Sequence, residues 1–521
     1  MADLRSIILH AQQGIRAFNS SGPQHAVETQ VLVAVAVLVA TAYVARRLSV
    51  HRKLAKIPIV NGVGFLGSGA AKSKDLFLNN ARELVKQGFS KSKDVFRMRT
   101  DLSTIFVLSP HYADQIKNDD RFSPGKYTER ELLVHTPGFE PFKVAVTERE
   151  LVQEVVRSRL NRSLDKVAEA TGEETADALQ KHWTDSADWH EVGVYPSLLQ
   201  VVAQTSSRAF LGPELCRDPD WLRITTEYTV SAITSVSALR QWPIALRPIV
   251  HWFLPRLRAV RRQLDEARAI MQPIVDKRRK QMAAGTAPDD AIVWFAELSK
   301  GRPYDPAVSQ LTMSVAAVHS TTDLLTQVLL ELAKHPELIQ PLRDEVVSVI
   351  GSGGWTKAAF YHLKLMDSVL KETQRLKPIS QVFMKSVALQ DVRLSDGKEI
   401  PKGSLIAVSA HEMWEPSNYE NPDAFDGYRY VKRQQDPELA RTSQFASWSA
   451  EHVGFGFGKH ACPGRFFVGV EAKAILAHLL LKYDFELPEG RSPTVMSLGF
   501  ELLTDHAATL LVRRRKEEME L

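Results

Sequence analysis

The sequence holds two cysteines, Cys216 and Cys462, and only the second stands where a thiol could do chemistry. Cys462 lies in the run Gly454-Phe455-Gly456-Phe457-Gly458-Lys459-His460-Ala461-Cys462-Pro463-Gly464. Its glycines permit a tight loop and a close backbone approach to a flat ligand. Pro463 stands where a helix would begin, a position that proline favours. A cysteine at a helix amino terminus meets free N–H groups and the positive end of the dipole, which lower its pKa toward the thiolate. A thiolate so placed can ligate a metal. Cys216, in the turn-rich Leu211-Gly212-Pro213-Glu214-Leu215-Cys216, reads as a packed thiol. Two cysteines exclude a disulfide framework and place the bulk of the chain in a reducing compartment.

A second constellation is Ala316-Ala317-Val318-His319-Ser320-Thr321-Thr322, midway along a long apolar helix predicted over Val308–Lys334. Small residues thin the helix there, and hydroxyls that bond back to carbonyls loosen a turn where water enters. Hydroxyls and water make a proton relay, with Ser320 or Thr321 as candidates and His319 as a further one. Glu372 and Arg375 share one face of a helix expected at Leu363–Lys377, which Pro378 stops. The pattern is helical from about Asp165 to Ile350, and the Leu363–Lys377 helix follows it. Strand pieces are expected at Val95–Arg99, Ser103–Leu108, Val382–Leu394 and Leu405–Ser409, and a last helix at Pro463–Tyr483.

Phe455, Gly458, Cys462 and Gly464 match the pattern Phe-x-x-Gly-x-Arg-x-Cys-x-Gly, with His460 in place of the arginine. From about residue 58 to 513 the chain resembles the cytochrome P-450 family of haem-thiolate monooxygenases. It is most similar to fungal secondary-metabolism members such as ent-kaurene oxidases. The resemblance implies a mainly α fold with a minor β-sheet, and haem b held by the Cys462 thiolate, which favours O–O cleavage. It also implies that Phe455 shields the ligand and that His460, Lys385 and Arg157 meet the haem propionates, His460 with a pH-dependent charge. Glu372, Arg375 and Arg429 would form a structural charge network. Val382, Phe383, Phe500 and the Phe122–Phe142 region would line an apolar substrate pocket. In the resemblance His319-Ser320 stands where an acid followed by threonine is usual. The implied reaction is hydroxylation of a hydrophobic terpenoid, indole-diterpene or polyketide. A haem-thiolate isomerase or peroxide-dependent catalyst and a haem sensor or carrier are the alternatives.

Past the cysteine loop only one helix and a short hairpin are expected, too little for a flavin domain. Electrons would therefore come from a separate NADPH-cytochrome P-450 reductase, docking on a basic face of Lys459, Arg465 and Lys473. Residues 29–45 are uncharged and almost wholly apolar, and seventeen helical residues span about 25 Å. Arg46, Arg47, Arg52 and Lys53 follow, so the bias of positive charge puts the body in the cytosol. The expected organisation is a luminal segment 1–28, a membrane anchor 29–45, a basic, proline-bearing linker 46–62 and a catalytic domain 63–521. The localisation implied is the endoplasmic reticulum membrane, with Asn19 as a glycosylation sequon on the luminal side. The tryptophan-rich stretch from Gln241 to Pro255 is expected to make a second membrane contact. A net charge of only +5, without zinc spacing or aromatic-basic interleaving, argues against nucleic acid.

Overall fold

The computed structural model describes residues 57–62, 69–146 and 151–519, with five helical positions between 34 and 41. It divides into two units, Met1–Pro58 and Ile59–Leu521. In the first, Ala34, Val35, Val37, Leu38 and Thr41 are helical and exposed. The rest of the expected anchor, and Asn19, lie outside the described residues. Among the described residues no helix is long and apolar enough to cross a membrane.

The second unit is helical with small sheets. Its axis is α7 (Pro306–Lys334), preceded by α1 (Ala70–Lys91), α2 (Leu151–Ser158), α3 (Leu164–Trp183), α4 (Val194–Leu211), α5 (Pro219–Arg240) and α6 (Pro255–Ala283). Pro306 occupies the first turn of α7, and Asp305 caps it by accepting the Val308 N–H at 3.1 Å. A helix apolar on all sides has to be enclosed. Leu311, Met313, Val318, Leu325, Val328 and Leu332 of α7 are accordingly buried among neighbouring helices. α8 (Lys364–Leu376) ends just before Lys377-Pro378, and α9 (Arg465–Lys482) follows the cysteine loop.

The main sheet joins β1 (Val95–Arg99), β2 (Thr104–Leu108), β3 (Phe122–Ser123), β5 (Val382–Ala388) and β6 (Leu405–Ser409) in the order β1-β2-β6-β5-β3. β2 and β6 run parallel, with Ile105 opposite Leu405, and the other pairs are antiparallel. The pairing of β5 slips between Phe383 and Ser386, where Met384 has φ +53°. A smaller sheet, β4-β8-β7, joins β4 (His190–Gly193), β8 (Thr509–Arg514) and β7 (Tyr483–Glu486). β4 breaks the helical stretch expected from Asp165 onward. Helix α9 also begins later than expected: Gly464 is its N-cap, and Pro463 stays in the turn before it.

Candidate active site

A cavity of about 530 Å³ lies between the middle of α7 and the cysteine loop. Ala316, Ala317 and Ser320 face it from α7, and Phe455, Cys462 and Gly464 face it from the loop. Leu160, Phe210, Met313, Leu324 and Phe467 make its walls largely apolar. The loop is held by its own backbone. The Cys462 N–H donates to Phe455 O at 2.8 Å, the Gly456 N–H to Val453 O at 2.7 Å and the Ala461 N–H to Gly458 O at 3.0 Å. Gly454 lets the loop close on α8, since a Cβ there would lie 2.4 Å from Gln374 Oε1. His452 Nε2 holds that same oxygen at 3.0 Å.

Burial pushes the Cys462 thiol up. The Gly464 N–H, the Arg465 charge and the Arg465 N–H pull it only part of the way back. The helix end lowers the thiol's pKa in the expected direction, but burial outweighs it. A bound metal cation supplies the missing charge, since a coordinating thiol is deprotonated outright. Glycines without Cβ atoms, apolar walls and one half-buried thiol fit a flat, metal-bearing ring. Phe455 lines the cavity and packs its ring edge-on against Phe445 at 5.1 Å. His460 is exposed at the cavity rim, next to Gly458.

Under the loop lies a buried charge network. Arg375 Nε and Nη2 donate to the two oxygens of Glu372, each at 2.8 Å, and Arg429 Nε donates to Glu372 Oε1 at 2.9 Å. Carbonyls absorb the remaining guanidinium donors: Met413 and Pro422 take Arg375 Nη1, and Glu420 takes Arg429 Nη1. Glu372 and Arg375 are fully enclosed.

The phase of α7 separates its three candidates. Ser320 faces the cavity, with its Oγ donating back to Ala316 O at 3.1 Å. Thr321 points the other way, toward Glu471 of α9. Ser206 Oγ and Thr205 Oγ1 donate to Glu471 Oε1 at 2.6 and 3.2 Å. Burial pushes the Glu471 carboxyl up to about 8, while the Ser206, Thr205 and Thr321 hydroxyls lower it. Its folded pKa thus exceeds the unfolded value of about 4.3, and the folded state holds the extra proton between the two. Stability should therefore fall as pH rises from about 4.3 to 8 and level off above. Glu471→Gln should flatten that slope and melt higher than the parent at pH 8, but not at pH 5, in pH-dependent thermal melts.

His319 does not reach the cavity, which corrects its assignment as a proton relay. Its Nε2–H donates to Thr226 O at 3.0 Å, and its Nδ1 accepts from the Tyr195 hydroxyl at 3.1 Å. Burial lowers its pKa, so the ring is neutral with both nitrogens engaged. His319→Ala should cost about 1–3 kcal/mol through the unpaired groups it leaves. Melting should register that loss, while the yield of product per NADPH stays at the parent value.

Four further expectations change. Lys385 Nζ binds Glu131 and Glu501 at 3.2 and 3.0 Å, so its ammonium is taken up by carboxylates and not reserved for a propionate. Arg157 is exposed and donates from Nη2 to Lys459 O at 3.2 Å, bracing the loop from outside the cavity. Phe500 does not line the cavity; it packs edge-on against Phe77 at 5.0 Å in the core beside the main sheet. Lys473 is buried against Asp367 at 2.7 Å and Phe360 O at 2.8 Å, which removes it from any docking face. Lys459, paired with Asp120, remains exposed, and Arg465 is half-buried, bonding Cys462 O at 2.9 Å. Phe383 lines the main cavity and an adjoining one of about 300 Å³, whereas Val382 lines only the smaller. Phe122 reaches that smaller cavity too, and Phe142 packs in the core near Phe139 and Tyr228. Asp323, Lys377 and Gln153 also line the main cavity. Sequence reasoning passed over all three. Only the spacing of Asp323, three residues beyond Ser320, signalled a shared face.

Comparison with known proteins agrees with this geometry. The family model "Cytochrome P450" matches residues 76–510. A dideacetyl fusicoccin A C-19 hydroxylase of Phomopsis amygdali is 46% identical over 473 residues, 90% of this chain and 90% of that protein. A fusicocca-1,10(14)-diene-8beta,16-diol C-9 hydroxylase of the same organism is 44% identical over 480 residues, 90% of this chain and 94% of its own. The crystal structure of the cytochrome P450DA heme domain shares the fold, with a TM-score of 0.65 at 19% identity, covering 88% of this chain and 98% of that one. With a cavity that joins one half-buried thiol to a hydroxyl-bearing helix, and relatives matched along nearly its whole length, the chain belongs to the cytochrome P-450 family and is a haem-thiolate monooxygenase.

Proposed function

We propose that this monooxygenase hydroxylates a terpenoid, and that the Cys462 thiolate would hold its haem. The observation that carries the reading is the apolar cavity in which Ser320 faces Cys462. The relatives named for hydroxylation of fusicoccane-type compounds support the substrate class. When bound, the haem supplies the activation of dioxygen for insertion of one oxygen atom into a C–H bond. The chain's own residues do the rest. Phe455 and Phe467 keep water from the thiol side, Met313, Phe210 and Leu324 hold an oil-like molecule, and Ser320 presents a hydroxyl where protons are consumed. His460 and Lys459 stand at the outer rim of the loop.

The enzyme acts at a membrane in this reading. The apolar segment 29–45 anchors it to the endoplasmic reticulum, with residues 1–28 and Asn19 in the lumen. Trp242, Ile244, Leu246, Ile249, Trp252 and Phe253 are all exposed, Ile244 by 77% and Phe253 by 71%. So many large apolar side chains on one short stretch suit the bilayer interface, where tryptophan is favoured. Electrons come from a separate NADPH reductase docking near Lys459.

The test is to co-express the full chain with an NADPH-cytochrome P-450 reductase and supply fusicoccane-type and other diterpenoids. A product heavier by one oxygen atom, dependent on NADPH and labelled by heavy-isotope dioxygen, is expected. Conversion without NADPH or an unlabelled, isomeric product would instead select the isomerase or peroxide-dependent reading.

A further inference from the structure

An ion pair stands in the wall of the apolar cavity. Lys377, just past the end of α8, carries its ammonium to Asp323 of α7, and both residues face the space that Ser320 and Cys462 face. Both are almost enclosed, Asp323 at 8% and Lys377 at 5% exposure. Asp323 follows Ser320 by three residues, on the same helical face. Its second oxygen, Oδ1, accepts the Thr504 N–H at 3.1 Å, so the carboxyl is fixed in direction.

Stability gives a poor account of this pair. Removing two charges from water costs several kcal/mol each, and an apolar pair of similar size would join α7 to α8 as well or better. The surroundings suggest a proton path. Among the described residues that line the cavity, Asp323 is the only carboxylic acid. His319, the neighbouring titratable group of α7, has both nitrogens bonded elsewhere. On the outer side lies exposed His506, whose ring stacks on Tyr195 at 3.7 Å and feels the charges of both Asp323 and Lys377. Burial lowers the Lys377 ammonium's pKa, against the charges of Asp323 and Glu501, which raise it. Tyr195 also feels the charge of Asp323, and Asp505 acts on His506.

Hydroxylation consumes one dioxygen, two electrons and two protons per C–H bond, and releases one water with the alcohol. The electrons come from NADPH, but the protons have to cross apolar walls. We propose that Asp323 delivers those protons to the Ser320 side of the cavity, with Lys377 positioning it and His506 marking the entry from solvent. In each transfer the Asp323 carboxylate, ion-paired at rest, first takes up a proton; that O–H bond then breaks, the electron pair stays on the carboxylate, and the proton passes through water toward Ser320. The carboxylate then regains a proton from solvent on the His506 side. Nothing is oxidised or reduced in the transfer itself.

The test needs no identified substrate. Without one, electrons from NADPH and the reductase leave as hydrogen peroxide or, when protons arrive to break the O–O bond, as water. The full-length holoenzyme, Asp323→Asn, Asp323→Glu and the neutral double variant Asp323→Asn/Lys377→Met are compared by peroxide released per NADPH consumed. Asp323→Asn should send nearly all electrons to peroxide, with water formation down about 10²-fold, the scale of a lost proton donor. Asp323→Glu should restore the parent ratio. The double variant should stay uncoupled, although it leaves no unpaired charge. The melting temperature and the CO-bound absorption band of the reduced protein are read alongside to show that the cavity is intact. A parent-like ratio in Asp323→Asn, or recovery in the double variant, would overturn the proposal and leave the pair a structural one.

Discussion

Glu372→Ala should leave little folded, haem-bearing protein. Glu372 accepts from two guanidiniums at 2.8 to 2.9 Å in an environment closed to water. Deleting it strands Arg375 and Arg429 as buried cations, a loss of about 3–5 kcal/mol. Folded domains have only about 5–15 kcal/mol in all, so much of the stability goes with one side chain. The carbonyls of Met413, Pro422 and Glu420 cannot offset a full charge. Chemical denaturation of Glu372→Ala against Glu297→Ala separates site from chemistry. The Arg159–Glu297 pair is as short, 2.7 Å, but both side chains are more than 40% exposed. Its loss should cost no more than about 1 kcal/mol. Equal losses in the two variants would remove the network from its structural role.

Gly458→Ala should displace the cysteine loop. Gly458 has φ +77°, which costs an ordinary residue about 1–2 kcal/mol. A Cβ there would also fall 2.4 Å from Lys117 Cβ and 2.6 Å from Lys117 O, and a backbone oxygen cannot swing aside as a side-chain tip can. Gly212 is the control, with φ +74° and nothing within 4 Å of its added Cβ. Gly212→Ala should lower the melting temperature modestly and leave haem binding alone. Gly458→Ala should lower it further and reduce the haem retained after gel filtration. Equal behaviour of the two variants would mean that the loop tolerates a shift away from Lys117.

The parts of this fold legible in the sequence are those fixed by local rules. Pro306 with Asp305 opens α7, Pro378 closes α8, and β1 and β6 follow from short apolar runs between turns. Cys462, Gly458 and Gly464 could be named because a loop that cradles a ring constrains consecutive residues. Side-chain direction was less legible. Ser320 and Thr321 differ by one position, and only the packing of α7 against α4 and α9 turns one to the cavity and the other to Glu471. Lys473 looked like surface charge because its partner, Asp367, is on another helix. Phe500 looked like pocket because Phe77, which covers it, comes from α1. The Asp323–Lys377 pair was hidden for the same reason, since neither half is unusual without the other.

The haem chemistry depends on Cys462 being the ligand, and one spectrum tests that directly. The reduced, CO-bound protein should show the red-shifted absorption band of thiolate-ligated haem. Cys216→Ala should keep it, because that thiol is buried away from the cavity. Cys462→Ala should lose it, and Cys462→His should bind haem with the band of nitrogen ligation. A thiolate band that survives in Cys462→Ala, or disappears in Cys216→Ala while the protein remains folded, would contradict the account.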